Sequence, residues 1–213
     1  MEDAKALSET LSEIRQIMAA SMRFFSLGGP GGIAAGICGI TGSLVVAFLL
    51  KAPTLVLSYG SLPAPRSSLD RIFREPVFLV AGCTFIAAFT LAFLLTWMKS
   101  NSAQTALLGP AGKRLLFHVA VPMVIGGIFL LKIAQDGQLE LILPGSLLFY
   151  GLAILAGSRF TFPVSKFLAL GEITLGLVSL WLPAYGLICW MAGFGILHIL
   201  FGLATWRGNP EEG

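Results

Sequence analysis

The chain has 213 residues, of which 56% are hydrophobic and only 12% charged, with a formal net charge of +3. Soluble globular chains carry about 25% charged residues. With a mean hydropathy of +0.85, this composition excludes a water-soluble enzyme, a disordered tail and a nucleic-acid module, and it specifies a polytopic membrane protein. No complete catalytic motif is present, so the expected class is non-enzymatic.

The first 26 residues form a unit of their own. Leu7, Leu11, Ile14, Met18 and Met22 or Phe25 recur at steps of three and four, while Glu9, Glu13 and Arg15 take other faces. That period predicts an amphipathic helix at the cytoplasmic surface. Three roles are open to it: lying on anionic lipid through Arg15 and Arg23, pairing with a partner helix, or covering the ends of the bundle. The stretch reads as mature protein, since the apolar run that follows is long enough to span and has no cleavage signal.

Residues 27–206 form the predicted membrane bundle, with 207–213 as a short tail. Six apolar stretches have bilayer length as helices: 30–50, 77–98, 115–133, 141–157, 164–182 and 184–206. They are continuously apolar rather than alternating, which favours an all-α bundle over a barrel. The lipid bilayer is therefore the first expected partner, and a bacterial cytoplasmic (inner) membrane the expected location.

In the first stretch, Gly28, Gly32 and Gly36 form one ladder of small residues, and Gly31, Ala35, Gly39 and Ser43 a second. Spacing by four is a glycine-zipper pattern that permits close helix packing, within the chain or in a homo-oligomer. Gly29-Pro-Gly31-Gly-Ile-Ala34 formally matches a dinucleotide fingerprint. No strand precedes it and a membrane span follows, so that reading is discarded.

The loop 51–76 is the longest and holds Pro53, Pro63, Pro65 and Pro76, with a short interfacial helix expected over 67–74. Basic residues set the orientation. Nine lie on the side of the termini (Lys5, Arg15, Arg23, Lys99, Lys113, Arg114, Arg159, Lys166, Arg207) and five on the other (Lys51, Arg66, Arg71, Arg74, Lys132). Both termini are thus expected in the cytoplasm. Cys38, Cys83 and Cys189 all fall inside spans without metal or redox spacing and read as packing residues.

Most charges sit at span ends, but Glu172 falls well inside the fifth span. A carboxylate there costs about 3 kcal/mol on insertion scales and must be neutral, paired or wet. His198 is the natural partner. Counted from the turn at Pro183, the two residues differ in depth by only about 3 Å, at 1.5 Å per residue. A Glu172–His198 hydrogen bond or ion pair is therefore expected, either as a structural contact or as a proton or ion relay. His118, near the start of the third span, is a further relay candidate. With His198 it gives the alternative of a bis-histidine haem b. No other cofactor is expected, and two histidines with one carboxylate do not make a metal site.

One internal echo is visible: Leu141-Ile-Leu-Pro144-Gly and Leu180-Trp-Leu-Pro183-Ala share a pattern 39 residues apart, each beside the second helix of a hairpin.

Leu11-Ser-Glu13-Ile-Arg15-Gln-Ile-Met18, Arg23-Phe-Phe-Ser26-Leu-Gly28 and Gly32-Ile-Ala-Ala-Gly36 resemble the opening of a family of bacterial integral membrane proteins whose members read "EIR-x-LM…RF-x-SLSG-x-SG-x-x-AG". The stretch from Gly186 through Trp190, Gly195 and His198 resembles that family's last span. The chain departs from the pattern at Gly28-Gly-Pro-Gly-Gly, where the family has serines. The resemblance implies a six-span protein without an established activity and supplies no catalytic residues. The closing hairpin is also similar, in its G…P…G spacing, to small six-span acid-resistance membrane proteins. The leading functional expectation is a membrane module acting through partners or self-association, as a sensor, accessory subunit or homo-oligomer. The alternatives are a small transporter or proton-coupled channel built on Glu172 and His198, and a haem-binding redox subunit.

Overall fold

A computed structural model describes residues 29–52, 54–57, 76–99, 110–161 and 163–207. The amphipathic leader, Gly28 and the segment 67–74 lie outside the described residues. Among the described residues there is no strand. Six helical segments are long and apolar enough to cross a membrane: Pro30–Leu49, Phe78–Leu95, Gly112–Gln135, Leu139–Phe160, Val164–Trp181 and Pro183–Trp206. The helices are α1 (Pro30–Leu49), α2 (Pro76–Lys99), α3 (Pro110–Gln135), α4 (Ile142–Gly157) and α5 (Val164–Trp181). The sixth segment is α6 (Gly186–Met191), a π-helical turn (Ala192–Leu197) and α7 (His198–Arg207).

Local chemistry accounts for the ends. Gly29 takes a φ of 65° that a side chain would resist. Its N–H donates to Thr205 Oγ1 at 2.7 Å, which ties the start of α1 to α7. Pro30 follows at the first turn, where its missing N–H costs nothing. α3 ends at Gly137 (φ 79°): Gln138 N–H donates to Ile133 O and Gly137 N–H to Ala134 O, the double-bonded cap that glycine favours. α1 ends in the same cap, with Ala52 N–H on Ala47 O and Lys51 N–H on Phe48 O. Here a lysine occupies the left-handed position, with φ 52°.

α1, α4, α5 and the sixth segment form the core, with α5 against α4 and the π turn and α7 against α1. α2 packs chiefly on α1 and α3 chiefly on α4, so both lie at the periphery. Only 6% of the residues in the spanning windows of α2 and α3 are buried, against 28–39% for the other four. Their outer faces carry Leu79, Ile86, Phe89, Leu116, Phe117 and Ile128, all exposed and all apolar, as contact with lipid requires. At one end, Trp181 and Tyr185 stand exposed, and at the other Trp206, in the manner of interfacial anchors.

The small residues of α1 are used within the chain. A Cβ at Gly32 would lie 2.9 Å from Gly202 Cα, and one at Gly36 would lie 2.6 Å from Gly195 O. One at Gly39 would strike Phe194 O. The stripe in contact is thus Gly32, Gly36 and Gly39, drawn from both ladders, and Gly195 and Gly202 answer it from the sixth segment. Gly31 is also buried, whereas Ala35 is only partly so. Gly42 meets Thr84 of α2 instead. The echo around Pro144 and Pro183 also has a structural counterpart. Short 3₁₀ turns at Leu139–Leu141 and Pro183–Tyr185 precede α4 and α6, and the two turns touch.

These features generate three expectations. Gly39→Ala should destabilise the bundle by about 1–3 kcal/mol, because backbone rather than a flexible side chain blocks the new methyl. Gly127→Ala, which meets nothing within 4 Å, should be neutral or slightly stabilising. Lys51→Gly should add about 1 kcal/mol by removing the left-handed strain. Chemical unfolding in detergent micelles reads all three.

Candidate functional site

Three side chains meet midway along the core. Counted from the helix ends they share, Tyr150 on α4, Glu172 on α5 and His198 on α7 lie about 11 to 14 Å deep, near the centre of a 30 Å hydrocarbon layer. Glu172 is completely enclosed (0% exposed) and His198 is buried. His198 Nδ1 lies 3.4 Å from Glu172 Oε1, so the structure brings the expected pair together.

The hydrogen bonds take a different course. A carbonyl only accepts, so the 3.0 Å contact between His198 Nδ1 and Gly193 O places the hydrogen on Nδ1. Nε2 is then the acceptor, and the Tyr150 hydroxyl donates to it at 2.7 Å. Among the described residues Glu172 has no hydrogen-bond partner at either carboxyl oxygen. The Glu172–His198 contact is therefore an ion-pair distance without a hydrogen bond, because the imidazole N–H is directed at backbone.

The π turn makes this possible. His198 N–H donates to Gly195 O, which leaves Gly193 O to the imidazole. Glycine at 193 also makes room for the carboxyl: a Cβ there would collide with Glu172 Oε2 and lie 2.7 Å from Leu147 Cδ2. Phe194, in the same turn, packs with tilted rings 4.8 Å from both Tyr150 and Trp190 and lies parallel to His198 at 6.0 Å. Rings thus wall the centre on the side of the sixth segment. Single π turns inside α-helices cost stability and recur at functional positions.

The buried face of α5 carries Ser165, Leu168, Ala169, Glu172, Gly176 and Ser179. Ser165, Glu172 and Ser179 recur every seven residues, giving three polar stations about 10.5 Å apart on one face. The Ser165 hydroxyl bonds to Thr161 Oγ1 at 2.7 Å. Ser179 is fully buried, and its hydroxyl lacks a hydrogen-bond partner among the described residues.

His118 is elsewhere. It is exposed on α3, donates from Nδ1 to Arg114 O at 2.7 Å, and rests on Phe160 at 5.1 Å. The two histidines do not face one cavity, and both nitrogens of His198 are engaged. Among the described residues no three His, Cys, Asp or Glu side chains cluster as a metal site. Cys38, Cys83 and Cys189 are free thiols.

Tyr150 and Gly193 are the site residues that sequence reasoning omitted. A tyrosine in the middle of an apolar span, in a chain with only three, was the available signal. The π turn had none.

Burying a carboxyl without a hydrogen bond costs about 1–3 kcal/mol of desolvation, which an apolar side chain of similar size does not incur. Glu172→Met should thus unfold at equal or higher denaturant than the wild type. A loss of stability would mean that the carboxyl is a structural contact. No family model matches the chain, and neither a curated protein nor a solved structure does.

Proposed function

We propose that this protein is a small proton-coupled membrane transporter or channel, with Glu172, His198 and Tyr150 as its proton-binding centre. The observation that carries the reading is a carboxyl group enclosed at mid-membrane depth, with no hydrogen bond to either oxygen among the described residues and an imidazole 3.4 Å away. Intramembrane carboxyl and imidazole groups mark proton paths in pumps and transporters.

The chemistry follows from proton bookkeeping. With one proton between them, the pair is either a carboxylic acid beside neutral imidazole or a carboxylate beside imidazolium. Both are electrically balanced. Because Nδ1 already carries a hydrogen, the proton that makes His198 imidazolium enters at Nε2, on the Tyr150 side; Nε2 then turns donor and the Tyr150 hydroxyl turns acceptor. Loss of the shared proton leaves a net negative charge in the core, which costs several kcal/mol. That cost is the force available to drive a rearrangement. The π turn at Ala192–Leu197 changes the helical register of the sixth segment beside the centre, and π turns inside α-helices recur at functional positions. Ser165 and Ser179 extend the polar face of α5 toward either end. Apolar packing of Val46, Ala47, Ala52, Leu57 and Leu187 fills the bundle at the end of α1, so the centre is closed from that side.

A module acting through partners is less favoured, because the glycines that would serve an oligomer pack α1 against the sixth segment. A haem held by His118 and His198 is less favoured for the placement already described. The excess of basic residues on one side supports cytoplasmic termini in a bacterial inner membrane.

Proton uptake is measured on the protein reconstituted in liposomes, with a carboxylic-acid infrared band as the second readout. The wild type should carry protons down an imposed gradient and show a protonated carboxyl band that exchanges with deuterium. Glu172→Gln should abolish both, and Tyr150→Phe should slow the flux at least tenfold. Lys132→Gln, which removes an exposed pair with Asp136, should change neither. Flux unaltered by Glu172→Gln would sink the reading.

A further inference from the structure

The charged and apolar surfaces of α3 and α4 converge in one place that the proton-binding centre does not use. An open groove of about 600 Å³ runs between the two helices. Its floor and walls include Val121, Ile125, Leu152 and Phe149, and its mouth is formed by His118 and Arg159. Phe149 closes the far end, packed against Gly126 and 5.5 Å from Phe129. From Arg159 to Phe149 is ten residues, about 15 Å of helix. That is the depth of one leaflet of a 30 Å hydrocarbon layer.

The mouth is positively charged. Arg159 is exposed, and Arg114 stands one turn before His118 on α3, also exposed, with Lys113 beside it. Among the described residues this end of the bundle has no carboxylate, and neither arginine has an ion-pair partner. Pro122 lies inside α3 and removes the N–H that would otherwise meet the carbonyl of His118. The imidazole of His118 rests on Phe160, which follows α4, so the two helices are bridged just where the basic groups gather. Basic pockets between membrane helices bind anionic head groups, because the phosphate gains paired charges while its chains stay in apolar surroundings.

We propose that this groove binds one anionic phospholipid, its phosphate held by Arg159 and Arg114 beside His118 and one acyl chain laid along α3 and α4 as far as Phe149. The dimensions select a lipid over a soluble anion: a free phosphate would use the mouth and leave the apolar length empty. The positive charge selects an anionic over a zwitterionic head group. The site lies in the leaflet on the side where α1 starts and α7 ends, and is independent of the Glu172 centre.

The full chain in detergent is titrated with phosphatidylglycerol or with phosphatidylcholine of the same chains, and retained lipid is counted by native mass spectrometry alongside the thermal midpoint. Expected is one retained phosphatidylglycerol, a raised midpoint, and at least tenfold weaker retention of phosphatidylcholine. Replacing both Arg114 and Arg159 by Gln should lower retention of phosphatidylglycerol at least tenfold, while Arg159→Lys keeps most of it. Leu152→Trp, which fills an exposed part of the groove, should also displace the lipid. Equal retention of the two lipids, retention unchanged in the double variant, or retention unchanged by Leu152→Trp would each overturn the proposal. So would inorganic phosphate raising the midpoint as much as the lipid does. Because the arginines and the groove can be altered with Glu172 intact, failure here leaves the proton-transfer reading standing, and the reverse holds.

Discussion

A carboxyl group enclosed at mid-membrane depth is the constraint around which the core is arranged. In lipid there is no bulk water to solvate Glu172, so its neighbours must either share a proton with it or supply an opposite charge. His198 can do both. Its position follows from the π turn, which frees Gly193 O and directs the imidazole N–H at backbone. Tyr150 then holds the other nitrogen. The side chain that glycine lacks at 193 is the space the carboxylate fills. Each of these features is locally unfavourable or unusual, and they occur within one turn of each other. A helix tuned for stability alone would have an apolar residue at 172 and an unbroken α-helical sixth segment.

The surrounding packing divides labour between two kinds of helix. α1, α4, α5 and the sixth segment approach closely enough that glycine stands against glycine or carbonyl, as at Gly36 and Gly195. Without a hydrophobic drive between helices in lipid, such close contact supplies the dispersion energy that holds a bundle together. α2 and α3 are less engaged and present long apolar side chains outward. This leaves the core as a tight unit built around the titratable centre, with the outer helices as its boundary with lipid. The groove along α3 is part of that boundary, which is why a charged mouth and an apolar length coincide there.

Much of this architecture was legible in the chain itself. The six spans follow from continuous apolar runs of bilayer length, and the structure shifts their ends by only a few residues. The nearness of Glu172 and His198 was legible for a simple reason. A tight turn at Pro183 makes two helices antiparallel, and residues equally far from the turn share a depth. What a residue count could not supply was rotation about the helix axis. The small residues of the first span illustrate this. Two ladders at four-residue spacing were visible, yet the packed stripe of Gly32, Gly36 and Gly39 takes members of both, because a helix of 3.6 residues per turn drifts across a strict four-residue row.

The amino-acid sequence by itself determined the number of crossings, their lengths and the depth of each polar group, since these depend on hydropathy and on a constant rise per residue. The tertiary structure alone decided which groups meet. Tyr150 reaches His198 only because α4 packs on α5, and Gly193 faces Glu172 only because a π turn changes the helical register. The separation of His118 from the centre likewise depends on α3 lying outside the core. Depth is a property of one helix, whereas contact is a property of two, and the second is set by how side chains of different helices fill the same space.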